Sequence, residues 1–82
     1  KDRWKERVYN MDKNSLRVML IQIRNETGWT QKHFAEFFYI PRRTLQEWEY
    51  GKRGMAEYLL RLMVYKLEHE DIIHNFSERF DE

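Results

Sequence analysis

The chain has 82 residues, 41% of them hydrophobic and 35% charged, with a formal net charge of +1. That length holds one domain and leaves no room for a large enzyme cleft, and the hydrophobic share, with 3 Trp, 5 Tyr and 5 Phe, argues against general disorder. There is no cysteine, which excludes disulfides, thiolate nucleophiles and cysteine-ligated zinc and fits a cytoplasmic location.

The small net charge conceals an asymmetry. Residues 1–65 hold 13 Lys/Arg against 8 Asp/Glu, and residues 66–82 hold 2 against 6, so a basic body carries an acidic tail. A basic surface fits nucleic acid, although a solvated charged face explains either half equally well. The longest apolar run is only a few residues, so no segment is expected to span a bilayer, and the charged opening Lys1-Asp2-Arg3-Trp4 does not read as a secretory leader.

Residues 1–14 read as an N-terminal arm or a short helix, since Trp4, Val8 and Met11 share helical spacing. From Ser15 to Thr27, Leu16, Met19, Leu20 and Ile23 fall on one helical face, with Asp12, Asn14 or Ser15 available as cap and Gly28 as the stop. Thr30 is suited to cap a second helix from about Gln31 to Phe38, whose inward residues are Phe34, Ala35 and Phe38. Ile40-Pro41 marks the next boundary, because the residue before proline is driven out of helical geometry while proline suits a first turn. A third helix is expected from Pro41 to Tyr50, with Leu45 and Trp48 facing the core, Arg42, Arg43, Gln46, Glu47 and Tyr50 facing outward, and Gly51 ending it.

After the basic turn Lys52-Arg53-Gly54, the residues Ala56, Leu59, Leu60, Met63 and Leu67 give the strongest helical pattern in the chain. Beyond the acidic segment Glu68–Asp71, the residues Ile72, Ile73, Phe76 and Phe80 form a second amphipathic stripe, so residues 68–82 read as an acidic C-terminal helix or tail. No repeat, low-complexity stretch or strand-like alternation is present, and the fold class is all-α.

Two short helices joined by a tight turn, the second apolar inside and polar outside, have the layout of a helix-turn-helix. The stretch from Gly28 to Gly51 resembles the Xre family of lambda-repressor-like DNA-binding domains. The residues that carry the likeness are Thr30-Gln31 opening the second helix, Ala35 at the helix crossing, and Thr44-Leu45 with Trp48-Glu49 before Gly51. With its flanking helices the resemblance covers roughly residues 15–67, and it implies a compact four- to five-helix domain. One position departs from the pattern: Tyr39 stands where the family often has Gly or Asn, because the residue there tends to positive φ.

The resemblance implies that Pro41, Arg42, Arg43, Gln46 and Glu47 read base edges. Their chemistry agrees, since Arg pairs with guanine, Gln with adenine and Glu with cytosine, each worth about 1–3 kcal/mol of discrimination. It further implies that Gln31 contacts phosphate, where the start of a helix favours an anion. Lys32, Thr44, Tyr50, Lys52 and Arg53 are read as additional phosphate contacts, which set affinity but carry no sequence information. Glu49 reads as structural, capping or pairing with a nearby arginine.

Neither metal nor cofactor is expected. His69 and His74 are five residues apart and do not share a helix face, while Ser15 and Ser77 lie outside any catalytic motif, so the chain is not read as an enzyme. The expectation is a sequence-specific transcriptional regulator, a repressor of prokaryotic or phage type, bound to double-stranded DNA as a homodimer on a partly palindromic operator. Ile72, Ile73, Phe76 and Phe80 are the candidate dimer or partner surface, with packing onto the chain's own helices as the other reading. The alternative function is an antitoxin-like or inhibitor-like module whose tail grips a partner protein.

Overall fold

Helix α1 (Lys13–Thr27) begins where Asp12 is extended and its carboxylate accepts the Ser15 N–H at 2.7 Å. That bond holds the Asp12 carboxyl below its usual range. Of the three candidate caps Asp12 is the one used, and the helix starts two residues before Ser15. The computed structural model describes residues 12–81, so the reading of the first eleven residues as arm or short helix lies outside the described residues. Gly28, with φ of 76°, closes α1 in the left-handed region that glycine enters without strain.

Helix α2 (Gln31–Phe37) is capped by the Thr30 hydroxyl, which accepts from the His33 N–H at 3.2 Å. Its end is a Schellman turn: Ile40 N–H donates to Ala35 C=O at 2.9 Å and Tyr39 N–H to Glu36 C=O at 3.2 Å. Such a turn needs a left-handed residue, and Tyr39 supplies it with φ of 58°. The positive φ expected at this position is therefore present, on a residue with a side chain. Helix α3 (Arg42–Tyr50) follows, with Pro41 at φ −57° and ψ 136° as its N-cap and not its first helical residue. Gly51, at φ 81°, ends it as expected.

Helix α4 (Glu57–His69) buries Leu60, Met63, Val64 and Leu67. Ala56, read as the first residue of its inward stripe, is its exposed N-cap, and Leu59 is only half-buried. Asp71 at φ 65° turns the chain, with Ile72 N–H donating back to Leu67 C=O at 2.8 Å. The chain then closes in a 3₁₀ helix (Phe76–Asp81) in place of a fifth α-helix. Among the described residues the architecture is thus four α-helices and this short 3₁₀ segment, with no strand.

The core joins Leu16, Leu20 and Ile23 of α1 to Phe34 and Ala35 of α2, Leu45 of α3 and the buried face of α4. The tail completes it. Ile73, Phe76 and Phe80 are 2%, 1% and 8% exposed and Ile72 packs beside them, so the apolar stripe read as a dimer or partner surface lies inside the chain's own core. The physical reason is size: a chain this short buries too little surface to leave three such side chains in water, each worth about 1.5–3 kcal/mol when buried. Two bonds lock the tail down, Ser77 N–H to Glu68 Oε2 and Arg79 Nη2 to Glu26 Oε2 on α1, each 2.7 Å. No helix among the described residues is long and apolar enough to cross a membrane.

Candidate nucleic-acid interface

Beside the apolar seat of Leu45 and Trp48, α3 is held by one buried carboxylate. Glu49 is 5% exposed, and its two oxygens take a bidentate pair from Arg24 on α1, Nε to Oε2 at 2.8 Å and Nη2 to Oε1 at 3.0 Å. The geometry is the fork-to-fork one that suits guanidinium and carboxylate. It raises the Arg24 pKa further above an already high value, chiefly through the hydrogen bond to Glu49. Arg24 Nη1 also donates to the Trp29 C=O at 3.2 Å, and Arg17 Nη1 reaches the Glu49 C=O at 3.3 Å. Glu49 therefore binds α3 to α1 through both its side chain and its backbone, and the structural reading of this residue holds.

Gln31 completes the cluster, donating from Nε2 to Glu49 Oε1 at 2.9 Å. Its amide is thereby fixed at the start of α2 and joins α2 to α3. The structure gives this residue a direct role in positioning the two helices; a phosphate contact would have to use its remaining donor. The members of the cluster that the sequence did not single out, Arg24 and Arg17, lie 25 and 32 residues from Glu49. Their only sequence signal was position: both stand on the first helix next to its apolar stripe.

With α3 so held, Pro41, Arg42 and Arg43 at its start are exposed, whereas Gln46 and Glu47, one turn on, are half-buried. Glu47 is occupied. Its carboxylate stands between Arg43 Nε at 3.5 Å and Arg53 Nε at 3.4 Å, and the two arginine side chains remain 88% and 60% exposed. Pairs this exposed are weak, about 0–1 kcal/mol, and are easily exchanged for other partners. Their effect is to bring Arg43 and Arg53, one from the helix and one from the turn after it, to the same carboxylate.

Lys52 and Arg53 follow Gly51 in an exposed turn, anchored by their N–H groups on Glu47 C=O at 2.9 and 3.2 Å. Tyr50 is 68% exposed at the end of α3, Lys32 is exposed on α2, and Thr44 is half-buried. Trp48 is half-buried against the core and Leu45 fully buried, so these two face inward as expected, while of the residues read as outward-facing Arg42, Arg43 and Tyr50 are exposed and Gln46 and Glu47 only half so. What the arrangement presents is cationic groups on α3 and the turn after it, with both leading arginines exposed and Arg43 held only by its weak pair with Glu47.

The histidines do not converge. His69 stacks on Tyr65 and His74 Nδ1 lies 3.6 Å from Asp71. Among the described residues no three His, Asp or Glu side chains are grouped to hold a metal. Comparison of the chain with family models, with curated proteins and with solved structures found no match.

Proposed function

We propose that this chain is a sequence-specific double-stranded DNA-binding protein, a transcriptional regulator of prokaryotic or phage type that works in the cytoplasm and reads the major groove with α3. The observation that carries the reading is the pair Arg42 and Arg43, exposed at the start of a helix whose other face is buried and whose orientation is fixed by the Arg24–Glu49–Gln31 cluster. Reading bases demands groups that reach out from a rigid support, and these two arginines meet both conditions. Lys52, Arg53 and Lys32 supply the charge for phosphates. The resemblance of residues 28–51 to the Xre helix-turn-helix points the same way. One helix this short reads few base pairs, so specificity favours two copies on half-sites about 34 Å apart. The competing reading, capture of a partner protein by the tail, is weakened because the tail's apolar residues are already buried.

Selection from a randomised duplex library, repeated at two salt concentrations, tests the proposal. The wild type is expected to enrich one motif with two-fold symmetry, and the Arg42→Ala, Arg43→Ala double variant to lose that motif while melting at the same temperature. Unselective binding that disappears with salt in both proteins would reduce the interaction to charge alone and overturn the sequence-reading assignment.

A further inference from the structure

A surface helix ordinarily turns its charged side to water. Helix α4 does not. Opposite its buried face stand Tyr58, Leu62 and Tyr65, exposed by 68%, 58% and 67%, with His69 next in the row and stacked on Tyr65. Leu62 also borders a shallow, mainly apolar groove walled by Phe38, Ile40, Leu59 and Met63. The charged residues of α4 are displaced to the margins of this strip, where Arg61 and Glu68 lie on one side and Lys66 on the other.

We propose that this face is where two copies of the chain meet, α4 lying antiparallel to α4 of the second copy across a two-fold axis. The spacing of Tyr58, Leu62, Tyr65 and His69 is four, three and four, the alternation of a coiled-coil seam. It reads the same in both directions, so an antiparallel pair keeps every seam residue in register with one of the partner's. An axis passing between Leu62 and Tyr65 sets Leu62 against the partner's Tyr65, and Tyr58 against the partner's His69. The marginal charges choose the orientation. Antiparallel helices bring Arg61, whose Nε already holds Glu57 of its own helix at 2.9 Å, to the partner's Glu68, whose Oε2 takes the Ser77 N–H of its own chain, and lay the stem of Lys66, itself paired with Glu70 at 2.9 Å, along the partner's Leu59. Parallel helices would bring Arg61 to the partner's Lys66, a like-charge contact. This interface occupies the face left open once the tail is buried, and it stands independently of the DNA reading.

Sedimentation equilibrium without DNA tests it directly. The wild type is expected to pass reversibly from monomer to dimer as its concentration rises. Leu62→Glu should raise the dimer dissociation constant by more than about tenfold while leaving the helical spectrum unchanged, since Leu62 is exposed in the monomer. The natural absence of cysteine allows an orientation test: mixing Tyr58→Cys with His69→Cys should give the mixed disulfide in preference to either symmetric one. A wild type that stays monomeric throughout would leave the face to another partner and overturn the proposal. Symmetric disulfides in preference would overturn the antiparallel arrangement.

Discussion

The two halves of this small domain are joined by opposite chemistry. Between α1, α2 and α3 a charged contact stands beside the apolar core: Arg24, Gln31 and the buried Glu49 carboxylate in one cluster. Between α4 and the tail the contact is mainly apolar, formed by Ile73, Phe76 and Phe80, with the Ser77–Glu68 bond beside them. The outer surfaces divide in the same way, with arginines along α3 and tyrosines and leucine along α4. The comparison separates two requirements. A bidentate pair is directional, so it fixes the angle at which α3 presents Arg42 and Arg43, whereas an apolar contact tolerates small rotations and supplies bulk stability.

The strongest challenge to this division is Phe76→Ala. Phe76 is 1% exposed with its ring 4.2 Å from the Arg79 guanidinium, and its truncation should cost about 3–5 kcal/mol in urea denaturation. A variant that kept its stability but lost self-association would return the tail to the role of partner surface. Glu49→Ala comes next. It strands Arg24, whose side chain is 19% exposed, and we expect a loss of about 2–3 kcal/mol, below the full cost of a completely buried pair because solvent reaches the guanidinium. Glu49→Gln at equal stability is the sharper probe of orientation. If it folds normally and selects the same duplex motif as the wild type at unchanged affinity, the directional role given to this carboxylate is wrong.

Much of this was legible in the sequence for local reasons. Asp12, Thr30, Gly28 and Gly51 act on neighbours within a few residues, and the four main helices follow from them and from the apolar periodicity. The exposed arginines of α3 could be placed because Leu45 and Trp48 fix which side of that helix faces inward. Periodicity, however, states that a face is apolar without stating what covers it. The stripe Ile72, Ile73, Phe76 and Phe80 was therefore open between a partner and the chain's own core, and only the fold decided. Glu49 was readable as half of an ion pair, but its partner was not, because Arg24 is 25 residues away and nothing short of the tertiary fold brings them together. The outward face of α4 escaped notice for the reverse reason: tyrosines beside a strong inward stripe look like the edge of it.

The smallest expected effect lies where the two halves touch. Tyr39 is 94% exposed, so its ring has almost no packing to lose, yet its backbone holds the left-handed turn between Phe38 and Ile40, which wall the groove beside α4. A non-glycine residue in that conformation costs about 1–2 kcal/mol. Tyr39→Gly removes the strain but frees the unfolded chain, which returns part of the gain. The balance should be a stabilisation of about 0.5–1 kcal/mol, visible as a rise of a few degrees in a thermal melt, where about 1 kcal/mol moves a domain of this size by 4–8 °C. Tyr39→Ala keeps the strain and should show no such rise, so equal melting of the two variants would refute strain as the cause. The same pair of proteins sharpens the comparison between the surfaces. If Tyr39→Gly melts higher but binds a duplex selected by the wild type less well, the tyrosine belongs to the proposed DNA-reading surface; if it instead weakens self-association, the apolar face of α4 extends across the turn.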